Sequence, residues 1–254
     1  MTPDAAAQLT LGVLAAAPIA VLLWQIRRSG SLSVWVLSRI VRTFSAASLS
    51  QRMHGRCPLP VTGGALLVGN HRSPTDPMVI YSATLLKDGG YNERVVEWLT
   101  AREYCDFPGV AGWITETSRS IPVARDGKDM APVKEALRRL KAGSIVGIFP
   151  EGGIYRGEGI GTFDTGAAWL ALRAGAPVYP VRVRNTPYCD PILRSFMLRQ
   201  PADAVFGPQI DFSRWAGRRP TPELLAEVAE YLRGIIANLG NDLPAPDCGS
   251  SLAS

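Results

Sequence analysis

The chain opens on an almost unbroken apolar run. Residues 5–24 read AAAQLTLGVLAAAPIAVLLW, in which only Gln8 and Thr10 are polar. Twenty helical residues extend ~30 Å, about the hydrocarbon thickness of a bilayer. The run therefore predicts a membrane helix, spanning or interfacial, and Gly12, Pro18 and the many alanines keep both forms open. Asp4 rather than a basic segment precedes it, which argues against a cleaved signal peptide. Arg27 and Arg28 come at once after it, so a spanning helix would leave the remaining chain in the cytoplasm. In the next segment Leu37, Ile40, Val41 and Phe44 fall at i, i+3, i+4 and i+7, with Arg39 and Arg42 off that stripe. A basic amphipathic helix with Trp35 near its start has the composition of an in-plane membrane helix. An ordinary core-facing helix is the alternative.

Beyond Arg56 the pattern changes to short apolar runs alternating with helical periodicity. Strands are predicted at 65–69, 95–99, 120–124, 144–149, 177–183 and 204–210. Helices are predicted at 74–87, 108–116, 129–141, 164–174 and 222–239, with Gly143 and Gly175 closing two of them. This alternation predicts an α/β fold: one layered domain whose largely parallel central sheet is flanked by helices, preceded by N-terminal membrane-associated helices. The expected organisation is a hydrophobic membrane helix at 1–28 and a basic amphipathic, membrane-proximal segment at 29–56. An α/β domain at 57–240 and a flexible tail at 241–254 complete it.

Charge sharpens the picture. The net charge is +5, yet between Ala5 and Thr75 there are seven arginines and no acid, so the basicity belongs to the N-terminal segment. An anionic membrane surface fits a basic block beside an apolar 20-mer better than nucleic acid does. The four cysteines, Cys57, Cys105, Cys189 and Cys248, show no metal-ligand spacing and are read as reduced cytosolic thiols; no metal site is expected.

Candidate chemistry centres on Asn70-His71-Arg72-Ser73-Pro74-Thr75-Asp76, directly after the predicted strand 65–69. An imidazole can act as general base near neutral pH, and a carboxylate can fix its tautomer. Pro74 suits the first turn of a helix that would bring Asp76 back to His71. His54, the other histidine, is read as solvated in a basic linker. Three further stretches end predicted strands, where ligands collect in open α/β sheets. They are Ser120–Arg125, with an arginine suited to clamp an anion; Phe149–Gly157, with glycines and Arg156; and Ala176–Val181.

Taken together these stretches resemble the glycerolipid acyltransferase family, which contains 1-acylglycerol-3-phosphate and glycerol-3-phosphate acyltransferases. His71-(four residues)-Asp76 is similar to its His-X4-Asp block, and Ile121-Pro122-Val123-Ala124-Arg125 to its second. Phe149-Pro150-Glu151-Gly152 and Val178-Tyr179-Pro180-Val181 are similar to its third and fourth, with Phe163-Asp164-Thr165-Gly166 between them. The resemblance covers roughly residues 60–212. It implies a fatty acyl group moving from acyl-CoA or acyl-carrier protein, as co-substrate, to a lysophospholipid hydroxyl, with no cofactor. His71 would be the general base and Asp76 its orienting carboxylate. Asn70, Arg125, Glu151, Gly152 and Arg156 would serve substrate binding, Glu151 by positioning arginines or backbone, since a carboxylate does not bind a phosphate directly. The acceptor implied first is 1-acylglycerol-3-phosphate, in phospholipid biosynthesis at the cytoplasmic face of the cell membrane, with membrane lipids as partners and no nucleic acid. The third block departs from the family pattern: Gly153 and Ile154 stand where Thr-Arg is usual, and Arg156 would have to substitute. That departure keeps open another lipid alcohol or a glycolipid as acceptor, a thioester hydrolase, and a non-catalytic lipid-binding protein on the same scaffold. No GxSxG elbow is present, so a serine acyl-enzyme is not expected.

Overall fold

A computed structural model of the chain describes residues 3–55, 57–85, 94–124 and 129–243. Seven strands form one sheet: β1 (Arg52–His54), β2 (Ala65–Gly69), β3 (Val96–Ala101), β4 (Ile121–Val123), β5 (Ile145–Ile148), β6 (Val178–Arg184) and β7 (Asp203–Phe206). Their order across the sheet is β1-β7-β6-β2-β5-β3-β4. Every neighbouring pair runs parallel except β6 and β7, which turns β1 and β7 against the other five. The helices are α1 (Pro3–Ser29), α2 (Leu32–Ala47), α3 (Asp76–Thr84), α4 (Arg102–Cys105), α5 (Val110–Thr117), α6 (Ala131–Lys141), α7 (Thr165–Arg173) and α8 (Pro222–Asn238).

β2 lies at the centre, and its alternation builds both layers. Ala65 and Leu67 face one core with Leu37 and Val41 of α2 and Val79 and Ile80 of α3. Leu66 and Val68 face the other, with Leu140 of α6, Leu170 of α7 and Leu232 and Ile236 of α8. All four β2 residues named are completely buried. At about 1.5–3 kcal/mol for each large apolar side chain removed from water, this strand is a rigid base for the loop at its end. That loop begins with Asn70 and His71, directly after Gly69. The parallel strands β2, β5, β3 and β4 all end at the same edge of the sheet.

The predicted α/β elements fall where periodicity placed them, to within a few residues at their ends. Differences have local causes. Residues 52–54, basic linker on the sequence pattern, form β1, which pairs with β7; its Arg52 and His54 both contact the buried carboxylate of Asp203, at 3.0 Å each. His54 is thus an ion-pairing edge residue, and the sheet starts at 52 rather than 57. α3 starts at Asp76 with Pro77 in its first turn, while Pro74 occupies the tight turn closed by the Asp76 N–H donating to the Ser73 carbonyl at 3.1 Å. The predicted end of that helix, at 86–87, lies outside the described residues. The stripe on α2 divides: Leu37 and Val41 are buried in the core, whereas Ile40 is 44% exposed.

α1 and α2 form a hairpin through Gly30, which takes φ +80°. Among the described residues no helix is long and apolar enough to cross a membrane, so the spanning form of the N-terminal expectation finds no support. α1 nonetheless leaves Leu11, Ile19, Leu23 and Trp24 exposed. The tail beyond residue 243 lies outside the described residues.

Candidate active site

The loop after β2 is shaped by Asp76. Its side chain is fully buried, and Oδ2 accepts from the backbone N–H groups of Arg72 (2.6 Å) and Ser73 (2.7 Å) and from His71 Nδ1 (2.9 Å). A carboxylate can only accept, so the proton sits on Nδ1 and Nε2 carries the lone pair. The His71 side chain is 18% exposed, which leaves one edge of the ring accessible to a ligand. Proximity of His71 and Asp76 in sequence thus becomes a direct bond, because a tight turn and the first turn of α3 fold the five residues back on themselves.

Two aromatic rings hold the imidazole plane. Phe149 stacks on His71 with centroids 4.3 Å apart and 11° between planes. Trp98 of β3 stacks on Phe149 at 4.5 Å and 3°. The pile needs Gly147 on β5: a Cβ there would lie 2.4 Å from Trp98 Cε3. Phe149 thus packs directly against the His71 ring.

Glu151 acts on the backbone. Phe149-Pro150-Glu151-Gly152 is a tight turn, closed by the Gly152 N–H donating to the Phe149 carbonyl at 3.1 Å, with Pro150 at its first corner. The turn aims Glu151 inward, where Oε2 accepts from the His71 N–H (2.9 Å) and Oε1 from the Gly161 N–H (3.1 Å). Burial pushes its carboxyl above the usual range, opposed by those two N–H groups. Gly152 is exposed at φ +70°, where a side chain would be strained. The loop continues along His71, as the Tyr155 N–H donates to the His71 carbonyl at 2.9 Å. Arg72 donates back to the carbonyls of Tyr155 (2.9 Å) and Gly157 (2.6 Å). The glycine-rich stretch is therefore a strap fastened across the His71 loop.

Asn70 is buried and committed to the sheet: its amide donates to the Val183 carbonyl (3.0 Å) and accepts from the Val183 N–H (2.8 Å). It extends the β2–β6 ladder by one residue and presents no free amide atom to a substrate. Ser73 Oγ donates to the Pro187 carbonyl at 2.5 Å and lies 2.9 Å from the Thr75 hydroxyl, so it serves the loop rather than acting as a nucleophile. Arg156 stands at the surface, paired with Asp190 at 3.1 Å. Arg125 lies outside the described residues. Sequence reasoning did not single out Trp98, Gly147, Tyr155, Tyr188 or Asp190; for Gly147 the signal was the Gly-X-Phe spacing, which sets Phe149, one residue past the end of β5, on the same side as Gly147.

A family profile described as Acyltransferase matches residues 50–184, just over half of the chain. The chain belongs to the acyltransferase family. The matched segment runs from β1 to the end of β6 and so contains the whole His71–Asp76–Glu151 assembly. Relatives in the family carry different names. A 1-acyl-sn-glycerol-3-phosphate acyltransferase of Escherichia coli is 25% identical over 184 residues, covering 71% of this chain and 70% of that one. A lyso-ornithine lipid O-acyltransferase of Pseudomonas aeruginosa is 29% identical over 153 residues, covering 60% and 53%. A 1-acyl-sn-glycerol-3-phosphate acyltransferase of Haemophilus influenzae is 27% identical over 125 residues, and the match covers 48%, about half, of each chain. The fold is that of the 1-acyl-sn-glycerophosphate acyltransferase of Thermotoga maritima, with a TM-score of 0.61 over 91% of this chain and 92% of that one, at 19% identity.

Proposed function

We propose that this chain transfers a fatty acyl group from an acyl thioester to a hydroxyl of a lysolipid, with His71 as general base. The observation that carries the reading is the 2.9 Å bond from His71 Nδ1 to an Asp76 oxygen already held by two backbone N–H groups. A carboxylate so anchored holds the neutral ring in the tautomer whose lone pair lies on Nε2 and stabilises the imidazolium that forms. Nε2 takes the proton of the acceptor hydroxyl as its oxygen attacks the thioester carbonyl. The C–S bond then breaks, and the leaving thiolate receives that proton from the imidazolium. The products are an ester and a free thiol. Glu151 holds the His71 backbone while the ring works.

The donor in this reading is acyl-CoA or acyl-carrier protein, and the first acceptor is 1-acylglycerol-3-phosphate. One observation favours an amine-bearing acceptor, such as a lyso-ornithine lipid, as a second reading: Arg156, the arginine nearest the altered third block, already has a carboxylate partner in Asp190. The apolar surface of α1, with Arg28 stacked 4.9 Å from the Trp24 ring, supports in-plane attachment to the cytoplasmic face of the cell membrane.

The test is thiol release from acyl-CoA or acyl-carrier protein by detergent-solubilised protein, with each acceptor in turn. General-base catalysis is worth roughly 10²–10⁴-fold, so His71→Ala and Asp76→Asn should each lose about that much while remaining folded. Thiol release without ester formation, abolished in His71→Ala, would make the protein a thioester hydrolase. Folded wild type that is silent with every donor and acceptor would leave lipid binding without catalysis.

A further inference from the structure

Two loops border the His71 loop, and each is fastened to it one residue away from a polar side chain, the exposed Arg156 and the half-buried Tyr188. Tyr155, bonded to the His71 carbonyl at 2.9 Å, precedes Arg156; Pro187, bonded to the Ser73 hydroxyl at 2.5 Å, precedes Tyr188. Between these loops Arg156 donates to both oxygens of Asp190, at 3.1 and 3.4 Å. Its guanidinium lies 4.2 Å from the Tyr188 ring centroid, and the Tyr188 hydroxyl donates to Asp190 at 3.0 Å. The Arg156 and Asp190 side chains are 60% and 67% exposed, so the cluster buries no charge and adds nothing to the core.

We propose that Arg156, Tyr188 and Asp190 form the headgroup subsite for the acyl acceptor and select a zwitterionic headgroup. Arg156 receives the carboxylate or phosphate; Asp190 and the Tyr188 ring receive the ammonium. This rests on the acyl-transfer reading of His71. An exposed ion pair is held weakly and opens at little cost. What the incoming headgroup returns then decides selectivity. A phosphomonoester that takes Arg156 leaves Asp190 unpaired and facing a second negative group. A zwitterion replaces one ion pair with two, and its ammonium takes over the face of Tyr188 that the guanidinium leaves. Arg72, the arginine of the His71 loop itself, is bonded to the Tyr155 and Gly157 carbonyls. Ile154 stands where the family's third block usually has its arginine.

The experiment measures kcat and KM in detergent micelles for three acceptors: lysophosphatidate, lysophosphatidylethanolamine and a lysolipid with a free amino-acid headgroup. Wild type, Asp190→Asn and the charge swap Arg156→Asp/Asp190→Arg are compared. Equilibrium binding of the same labelled lysolipids to these variants in a His71→Ala background is read in parallel. The expected result is a wild-type preference for the zwitterions that Asp190→Asn reduces by about tenfold or more, through KM and binding, while lysophosphatidate improves; tenfold is the low end for one charge-assisted contact. The swap should restore part of the preference. The relative rank of the two zwitterions tells a carboxylate-bearing headgroup from a phosphate-bearing one. Equal losses for all three acceptors would reduce the cluster to a latch between loops, and no change in any would remove it from recognition; either overturns the proposal. Wild type with no turnover on any acceptor defeats the acyl-transfer reading instead, and the binding arm still scores the headgroup preference.

Discussion

Gly147→Ala probes His71, the proposed base, from two rings away. The added Cβ would lie 2.4, 2.5 and 2.8 Å from Cε3, Cζ3 and Cδ2 of Trp98. Carbon atoms in ordinary contact sit about 3.5–4.0 Å apart, so the indole must lift by about 1 Å. It cannot do so and keep its parallel contact with Phe149, which lies 4.5 Å away at 3° and in turn covers His71. Overpacking of this size costs about 1–3 kcal/mol. For a domain of this length that is a fall in Tm of roughly 3–10 °C. The larger effect is on rate. A displacement of about 1 Å passed on to a reacting group can cost on the order of 100-fold. The assay is thiol release at saturating donor and acceptor, beside a thermal melt of the same preparation. Phe149→Leu is the companion, because it removes the plate over His71 without forcing anything against it, and should lower kcat with a smaller loss of Tm. If Gly147→Ala melted at the wild-type temperature, or lost Tm with kcat intact, the ring pile would be packing only and its link to the base would be wrong.

The same contacts have other consequences. Glu151→Gln can accept only one of the two N–H groups and turns a donor on the other; at about 1–3 kcal/mol for an unsatisfied buried donor, kcat/KM should fall roughly 10- to 100-fold. The raised carboxyl of Glu151 also fixes a pH dependence. The folded state holds this proton more tightly than the unfolded chain, so the contribution to stability is fully present below the ordinary glutamate range and is lost as pH rises through the folded value. The stability of wild type relative to Glu151→Gln should therefore decline as pH rises above about 4.5, tracked by denaturant melts from pH 4 upward. Arg139→Met leaves buried Glu97, held at 2.9 Å by Arg139, with the exposed Arg119 as its remaining ion-pair partner among the described residues. Breaking a buried pair costs about 3–5 kcal/mol, so a loss near 3 kcal/mol is expected by denaturant titration, partly recovered in Arg139→Met/Glu97→Gln. Ile19→Glu with Leu23→Glu should reduce sedimentation with anionic vesicles at least tenfold, since each exposed apolar side chain entering lipid contributes about 1.5–3 kcal/mol.

Much of the architecture is legible in the sequence because it depends on periodicity. The run Ala65–Gly69 is apolar at every position, as a strand buried on both faces must be, and it is the central strand. His71 and Asp76 are legible because a five-residue separation across a turn is a local matter. Long-range pairing is not. Arg52, His54 and Asp203 are joined across 151 and 149 residues, and a three-residue edge strand gives no periodic signal, so β1 reads as linker. The stripe on α2 reads as membrane-facing or core-facing alike, because only the position of α3 decides which apolar side chains it covers. Asn70, adjacent to His71, reads as a substrate contact, but its side chain turns to the backbone of Val183, which the sequence does not locate. Glu151 reads as positioning arginines or backbone, and the backbone it holds is that of His71 and Gly161.

The inward turn of Asn70 and Glu151 bears on how one motif can serve several acceptors. Within the His71 loop and the Phe149–Gly152 turn, nearly every polar atom is matched inside the protein. Asp76 Oδ2 holds three donors, Glu151 holds two, and Asn70 closes a strand ladder. Asp76 Oδ1 is buried with no hydrogen-bond partner, and the accessible group these residues leave for chemistry is His71 Nε2. A motif of this kind specifies a positioned base and carries little information about the headgroup of the lipid. Relatives whose names point to a glycerophosphate and to an ornithine lipid can then stand in one family without contradiction. Discrimination has to come from side chains outside the motif that still reach its mouth. In this chain Arg156, Tyr188 and Asp190 meet that condition, and none of them is bonded to the base, to Asp76 or to Glu151. Substitutions there should change which acceptor is used, whereas substitutions at His71, Asp76, Phe149 or Glu151 should change how fast every acceptor is used.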